Sequence, residues 1–118
     1  MGLALMNAPH ITMVKKIMAD GSACKKCAEV EQRLRDGGYL EFIDHVAIAD
    51  ERDEASEGIQ LANRYHIERA PFFIIEEAGR EPRVYTVFMR FLKEVLQAKV
   101  NDKEEAGEIL ERNNLDFL

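Results

Sequence analysis

The chain has two cysteines, and they lie three residues apart in Cys24-Lys25-Lys26-Cys27. A disulfide closing so small a loop would stabilise a fold poorly, because the entropic benefit grows with loop length. A structural staple is therefore the weaker explanation. A close pair of thiols suits redox exchange or half of a metal site. In exchange the thiolate is the nucleophile, and a second cysteine one helical turn away can displace the first partner and close the ring. In that scheme Cys24 is the exposed nucleophile and Cys27, on the same side as Val30 and Leu34, is the more buried resolving thiol. A zinc site would need further ligands. The histidines are His10, His45 and His66, and there is no second Cys-x-x-Cys. The acidic run from Asp50 to Glu57 lacks the spacing of a calcium loop. No metal and no cofactor are expected.

The elements that must position these thiols follow from hydrophobic patterning. His10 to Ala19 is rich in Ile, Val, Met and Thr and reads as a first strand, with Asp20 to Ala23 as a turn. From Cys24 to Asp36, Cys27, Val30 and Leu34 recur at helical spacing, and Gly37-Gly38 ends the helix. Tyr39 to Ala49 reads as a second strand, and Glu54 to Tyr65 as a second helix with Ala55, Ile59 and Ala62 on one face. Phe72 to Ile75 is an apolar run of buried-strand length. Glu77 to Pro82 forms a turn, and Val84 to Val87 returns. Phe88 to Val100 is an amphipathic helix carrying Phe88, Phe91, Leu92, Val95 and Leu96. The order βαβαββα predicts an α/β fold, with the first two strands parallel across a right-handed crossover and a hairpin adding an antiparallel half. The sheet is then four-stranded and mixed, with helices flanking it.

Cys24 thus falls where a strand's end meets a helix's beginning. Unpaired backbone N–H groups there carry partial positive charge and favour a thiolate. Lys25 and Lys26 oppose the helix dipole, so their presence asks for a compensating anion. They are expected to favour a Cys24 thiolate and the reduced pair, making the disulfide more oxidising than one with Gly-Pro between its cysteines. Attraction of an acidic partner is the other use for them.

Tyr65-His66-Ile67-Glu68-Arg69-Ala70-Pro71, followed by Phe72-Phe73-Ile74-Ile75, resembles the thioredoxin segment Tyr-Gly-Ile-x-x-x-Pro and the apolar strand after it. Together with the Cys-x-x-Cys, the similarity spans His10 to Val100. The resemblance implies a thioredoxin-like fold and disulfide oxidoreductase activity. It implies that Pro71 is the cis proline beside the cysteines and that the Ala70 backbone pairs with substrate. Ala23, Lys25, Lys26, Ala70 and Pro71 form the implied substrate-binding set. Thioredoxins usually have Trp-Cys-Gly-Pro-Cys, where this chain has Ala23 and the lysine pair. They also carry a buried acid six residues before the first cysteine, where this chain has Met18, with Asp20 as the nearest acid. Arg69-Ala70-Pro71 differs from the Thr-Val-Pro of the neighbouring glutaredoxins, so glutathione binding is not expected.

With 118 residues the chain holds one domain. The expected division is a flexible N-terminus over 1–9, a thioredoxin-like domain over 10–100 and a C-terminal helical extension over 101–118. Hydrophobic residues make up 47% of the chain, enough to fill a core, and the net charge of -6 argues against a nucleic-acid partner. No apolar run approaches the roughly 20 residues of a membrane span, and Met1 to Pro9 lacks the basic leader of a signal peptide. A cytoplasmic setting is expected, with a disulfide-containing protein or small molecule as substrate and a thioredoxin-reductase-like or other thiol donor to recharge the pair. Two other uses of the same residues stay open: a non-enzymatic binding module and a metal-binding module.

Overall fold

A computed structural model describes residues 9–100. The expected C-terminal extension, and all but the last residue of the expected flexible N-terminus, fall outside them.

β1 (His10–Ile17) is followed by α1 (Lys25–Asp36), β2 (His45–Asp50), α2 (Glu57–Tyr65), β3 (Phe72–Glu76) and β4 (Arg83–Tyr85). The strands form one four-stranded sheet in the order β2-β1-β3-β4. β1 pairs parallel with β2, from Thr12 opposite His45 to Ile17 opposite Asp50. β3 pairs antiparallel with β1 and β4. This open mixed sheet, with a parallel β-α-β half and an antiparallel hairpin half, is a thioredoxin-like fold.

Period-two alternation divides the sheet residues between two faces. Val14, Ala47, Ala49, Phe72 and Ile74 form a buried cluster against which Ile59, Leu61, Ala62, Tyr65 and Ile67 pack from α2 and its exit. The alternate residues Ile11, Met13, Phe73 and Ile75 are buried as well, and α1 buries Cys27, Val30 and Leu34. On that side the Phe73 and Phe88 rings meet at a tilt of 43° with centroids 6.3 Å apart, and the Arg33 guanidinium lies 5.3 Å from the Phe88 centroid. The alternation also separates two neighbouring lysines, Lys15 toward α1 and Lys16 toward α2. Gly58 is buried where α2 meets β2, and a Cβ there would overlap the Ile48 and Ala49 backbone.

Several boundaries differ from the sequence reading. β1 stops at Ile17 because Met18 to Ser22 closes a tight turn, in which the Gly21 amide donates to the Met18 carbonyl at 2.8 Å and the Met18 amide to the Ser22 carbonyl at 2.8 Å. The second strand begins at His45 instead of Tyr39, and Leu40–Phe42 forms a short 3-10 turn. Asp44 explains the late start. Its carboxylate accepts from the Ile11 amide at 2.7 Å, while its own amide donates to the Ile11 carbonyl at 2.8 Å. α2 begins at Glu57, not Glu54, because the Asp53 carboxylate holds the Ala55 amide at 2.9 Å in a local turn. Gly38, at φ 75°, takes the left-handed position after α1, while Gly37 stays right-handed.

By contacts within the chain the fold divides after Phe88. The helix α3 starts at Phe88 and runs to residue 100 through a π-helical turn, Leu92–Leu96, with Phe91, Val95 and Leu96 as its buried positions.

Candidate functional site

The site begins where β1 ends. After the turn at Met18 to Ser22, Ala23 forms an antiparallel bridge with Ile17, and the Cys24 amide donates to the Lys16 carbonyl at 3.3 Å. These contacts bring the chain back over the C-terminal end of β1, where α/β sheets commonly carry their sites. Cys24 is the N-cap of α1, with extended backbone at φ -69° and ψ 122°. Its Sγ accepts a hydrogen bond from the Cys27 amide at 3.3 Å, and its carbonyl accepts from the Ala28 amide at 3.1 Å. The sulfur therefore occupies the place of a capping oxygen and faces the positive end of a 12-residue helix.

Cys24 is half-buried and Cys27 buried, and both are free thiols. Burial is the main cause that pushes the Cys27 thiol up to about 12. Hydrogen bonding with Cys24 adds to it, while the Lys16 backbone and the Lys15 ammonium pull the other way. An unfolded cysteine ionises near 9.0, so between about 9 and about 12 the unfolded chain has released a proton that the fold retains. The reduced protein should keep this contribution to stability below pH 9 and lose it progressively as the pH rises toward 12. Denaturant titrations at stepped pH will read the decline, and Cys27→Ala should flatten it. The same alkaline slope in the variant would contradict the assignment.

The two cysteines open onto a cavity of about 260 Å³, lined also by Lys15, Ile17, Ala23, Glu31 and Ile48. Lys15 Nζ donates to Glu31 Oε1 at 2.9 Å and Oε2 at 3.2 Å. Sequence reading passed over this pair. Two clues were present: Glu31 follows Cys27 by one helical turn, and Lys15 shares a sheet face with Met13 and Ile17.

A second cavity of about 260 Å³ lies on the α2 face, where Lys16, Glu51, Asn63, Arg69 and Ala70 are among its lining. Ala70 is half-buried and Pro71 buried just before β3, and the peptide bond between them is cis. The lining of the cysteine cavity thus includes Ala23 with the two thiols but neither Ala70 nor Pro71. Lys25 and Lys26 occupy the exposed first turn of α1. Asp20 is exposed, and its carboxylate accepts from the Ser22 hydroxyl at 2.6 Å and amide at 2.9 Å. Those bonds hold its carboxyl below the usual range, and it is not among the residues lining the cysteine cavity.

His45 pairs with Glu57 at 2.8 Å, and His66 closes α2 in the left-handed conformation. Among the described residues no group of three or more His, Cys, Asp and Glu side chains is placed to hold a metal ion. Among them, too, no helix is long and apolar enough to cross a membrane.

No protein-family model matches the chain, and no curated protein matches it. Among solved structures it is similar to a thioredoxin from Thermus thermophilus, known from a solution structure. Identity there is 26%, over 82% of this chain and 79% of that one, with a TM-score of 0.48. It is also similar to a designed protein known from a crystal structure, with 18% identity over 82% of this chain and 86% of that one and a TM-score of 0.43. The strand order and the position of the cysteine pair carry the assignment by themselves: they point to thiol–disulfide chemistry in general.

Proposed function

We propose that the protein is a small thiol–disulfide oxidoreductase in which Cys24 attacks and Cys27 resolves. The observation that carries this reading is the Cys24 sulfur at the N-cap of α1, accepting the Cys27 amide, beside a thiol that burial keeps protonated. A Cys24 thiolate attacks a substrate disulfide and forms a mixed disulfide, and one substrate sulfur leaves as a thiolate. Cys27 then attacks Cys24, the second substrate sulfur departs, and the protein is left oxidised. The disulfide comes from a protein or a small molecule, and a separate thiol donor recharges the pair. Ala23, Lys25, Lys26, Ala70 and Pro71 would border the substrate, with Ala70 offering a backbone edge as in strand addition. With only two cysteines in the chain, a reducing cytoplasmic setting suits the cycle.

Equilibration in glutathione buffers, with free thiols counted by mass-tagging, tests the reading. A reversible two-electron transition between roughly -270 and -120 mV is expected. Thiols that never pair, or that remain blocked by bound metal, would leave a binding or metal module instead.

Lys25 and Lys26 should set the position within that range. A cation in the first turn of a helix is unfavourable by about 0.3–1 kcal/mol, and a thiolate at Cys24 relieves this only in the reduced protein. Replacing both lysines with glutamine should therefore lower the reduction potential by about 10–40 mV. An unchanged potential would mean that the lysines serve only as solvated surface.

A further inference from the structure

Within the oxidoreductase reading, the resolution step needs a destination for one proton. The Cys27 residue is 2% exposed, so bulk water does not collect that proton directly. The thiol opens instead onto the cavity that it shares with Cys24. The charged side chains around that cavity are Lys15 and Lys16 from β1 and Glu31 from α1, while β2 contributes only Ile48. Lys16 is directed elsewhere. Its Nζ lies 3.7 Å from Glu51, and it also lines the cavity on the α2 face. Lys15 and Glu31 remain, bonded to each other through both carboxylate oxygens. Their side chains are 29% and 25% exposed, so the pair is largely withdrawn from solvent. Glu31 stands one turn beyond Cys27 on α1, which puts the two side chains on the same helix face.

We propose that Glu31 is the proton acceptor for Cys27 during resolution, and that Lys15 is the positioning residue that holds it at the cavity. With Cys24 joined to a substrate sulfur, the Cys27 proton passes through the cavity to the Glu31 carboxylate. The freed electron pair on the Cys27 sulfur forms the bond to Cys24. The bond between Cys24 and the substrate sulfur breaks, and that sulfur leaves with its electron pair as a thiolate. The Glu31 proton then goes to solvent or to the departing thiolate. Across the cycle the substrate disulfide gains two electrons and the cysteine pair loses two. The proton transfer moves one negative charge from Glu31 to Cys27, and the Lys15 ammonium attracts both. During the transfer itself the Lys15 ammonium therefore keeps an anionic partner, which a partly desolvated site favours, and loss of the Glu31 proton afterwards restores the ion pair. The pull of Lys15 against the burial of Cys27 is the same attraction seen in the resting thiol. Among the described residues no other acid lines that cavity: Met18 stands six residues before Cys24, and the Asp20 carboxylate is exposed and held by Ser22.

Stopped-flow reaction of the full chain with dithiobis(nitrobenzoic acid) separates the steps. One coloured thiolate is released when Cys24 attacks, and a second when Cys27 resolves. Glu31→Gln should leave the first release within about twofold of the parent rate and slow the second by about 100-fold near pH 7. The slowed release should then climb with pH as hydroxide replaces the carboxylate, and added acetate should restore part of it. Lys15→Met should also slow only the second release, by about tenfold, because Glu31 is present but no longer pinned. A Glu31→Gln second release at the parent rate throughout pH 6–9, or an equal slowing of both releases, would overturn the assignment. If the parent chain itself gives a first release and no second, the oxidoreductase reading fails before Glu31 is at issue.

Discussion

Cys24→Ser should abolish reduction of a protein disulfide such as insulin, lowering the rate by about 1,000-fold or more, because a hydroxyl at the helix N-cap does not supply a thiolate. Cys27→Ser should behave differently. Its Cys24 still sits at the positive end of α1, so the first attack proceeds and the mixed disulfide accumulates with nothing to resolve it. Intact-mass measurement after mixing with a small disulfide should show one adduct per Cys27→Ser chain and none on Cys24→Ser. The burial contrast supports this order of roles, since Cys24 is half-buried where Cys27 is buried. If Cys24→Ser keeps the parent rate, or if the adduct forms on Cys27, the order of attack is wrong.

Among the described glycines, Gly58→Ala should be the most damaging substitution, because its added methyl group meets backbone. In an unpacked helix the change would stabilise by about 1 kcal/mol through helix propensity. Here α2 lies so close to β2 that the added Cβ would overlap the backbone of Ile48 and Ala49. A flexible side chain could turn aside, but a strand held in register with β1 moves only with the sheet. A net loss of about 2–3 kcal/mol is expected, which for a domain of this size lowers Tm by roughly 10–20 °C. Thermal unfolding of the reduced protein checks the sign as well as the size. A raised Tm would show that propensity outweighs packing and that α2 can lift from β2 without penalty. Ala47 and Ala49, both buried beneath the same helix, belong to the same close approach.

Much of this was legible in one dimension. The order of elements followed from patterning because each strand is bounded by strong turn residues and each helix carries a clean apolar stripe. The cysteine pair pointed to thiol–disulfide chemistry through its spacing, since a disulfide across so short a loop is a poor staple, while spacing alone left a metal-binding use of the same thiols open. The contrast between Cys24 and Cys27 was also readable, because Cys27 shares a helix face with Val30 and Leu34.

Other features depended on distances between segments far apart in sequence. The start of β2 is set by Asp44 clamping Ile11, 33 residues away, and local strand propensity carries no trace of that bond. Lys15 and Lys16 look alike in the sequence, yet the pleat sends one toward α1 and the other toward α2. Only the packed sheet gives the first of them Glu31 as a partner, 16 residues away. Glu31 itself reads as one more solvated helix charge until α1 lies across β1 and closes a cavity over Cys27. Spacing within a segment therefore placed the two thiols together at the start of α1, because that geometry is local. The charges that surround those atoms were decided by tertiary packing, because a side chain's neighbours across a sheet are set by register and burial and not by the residues beside it.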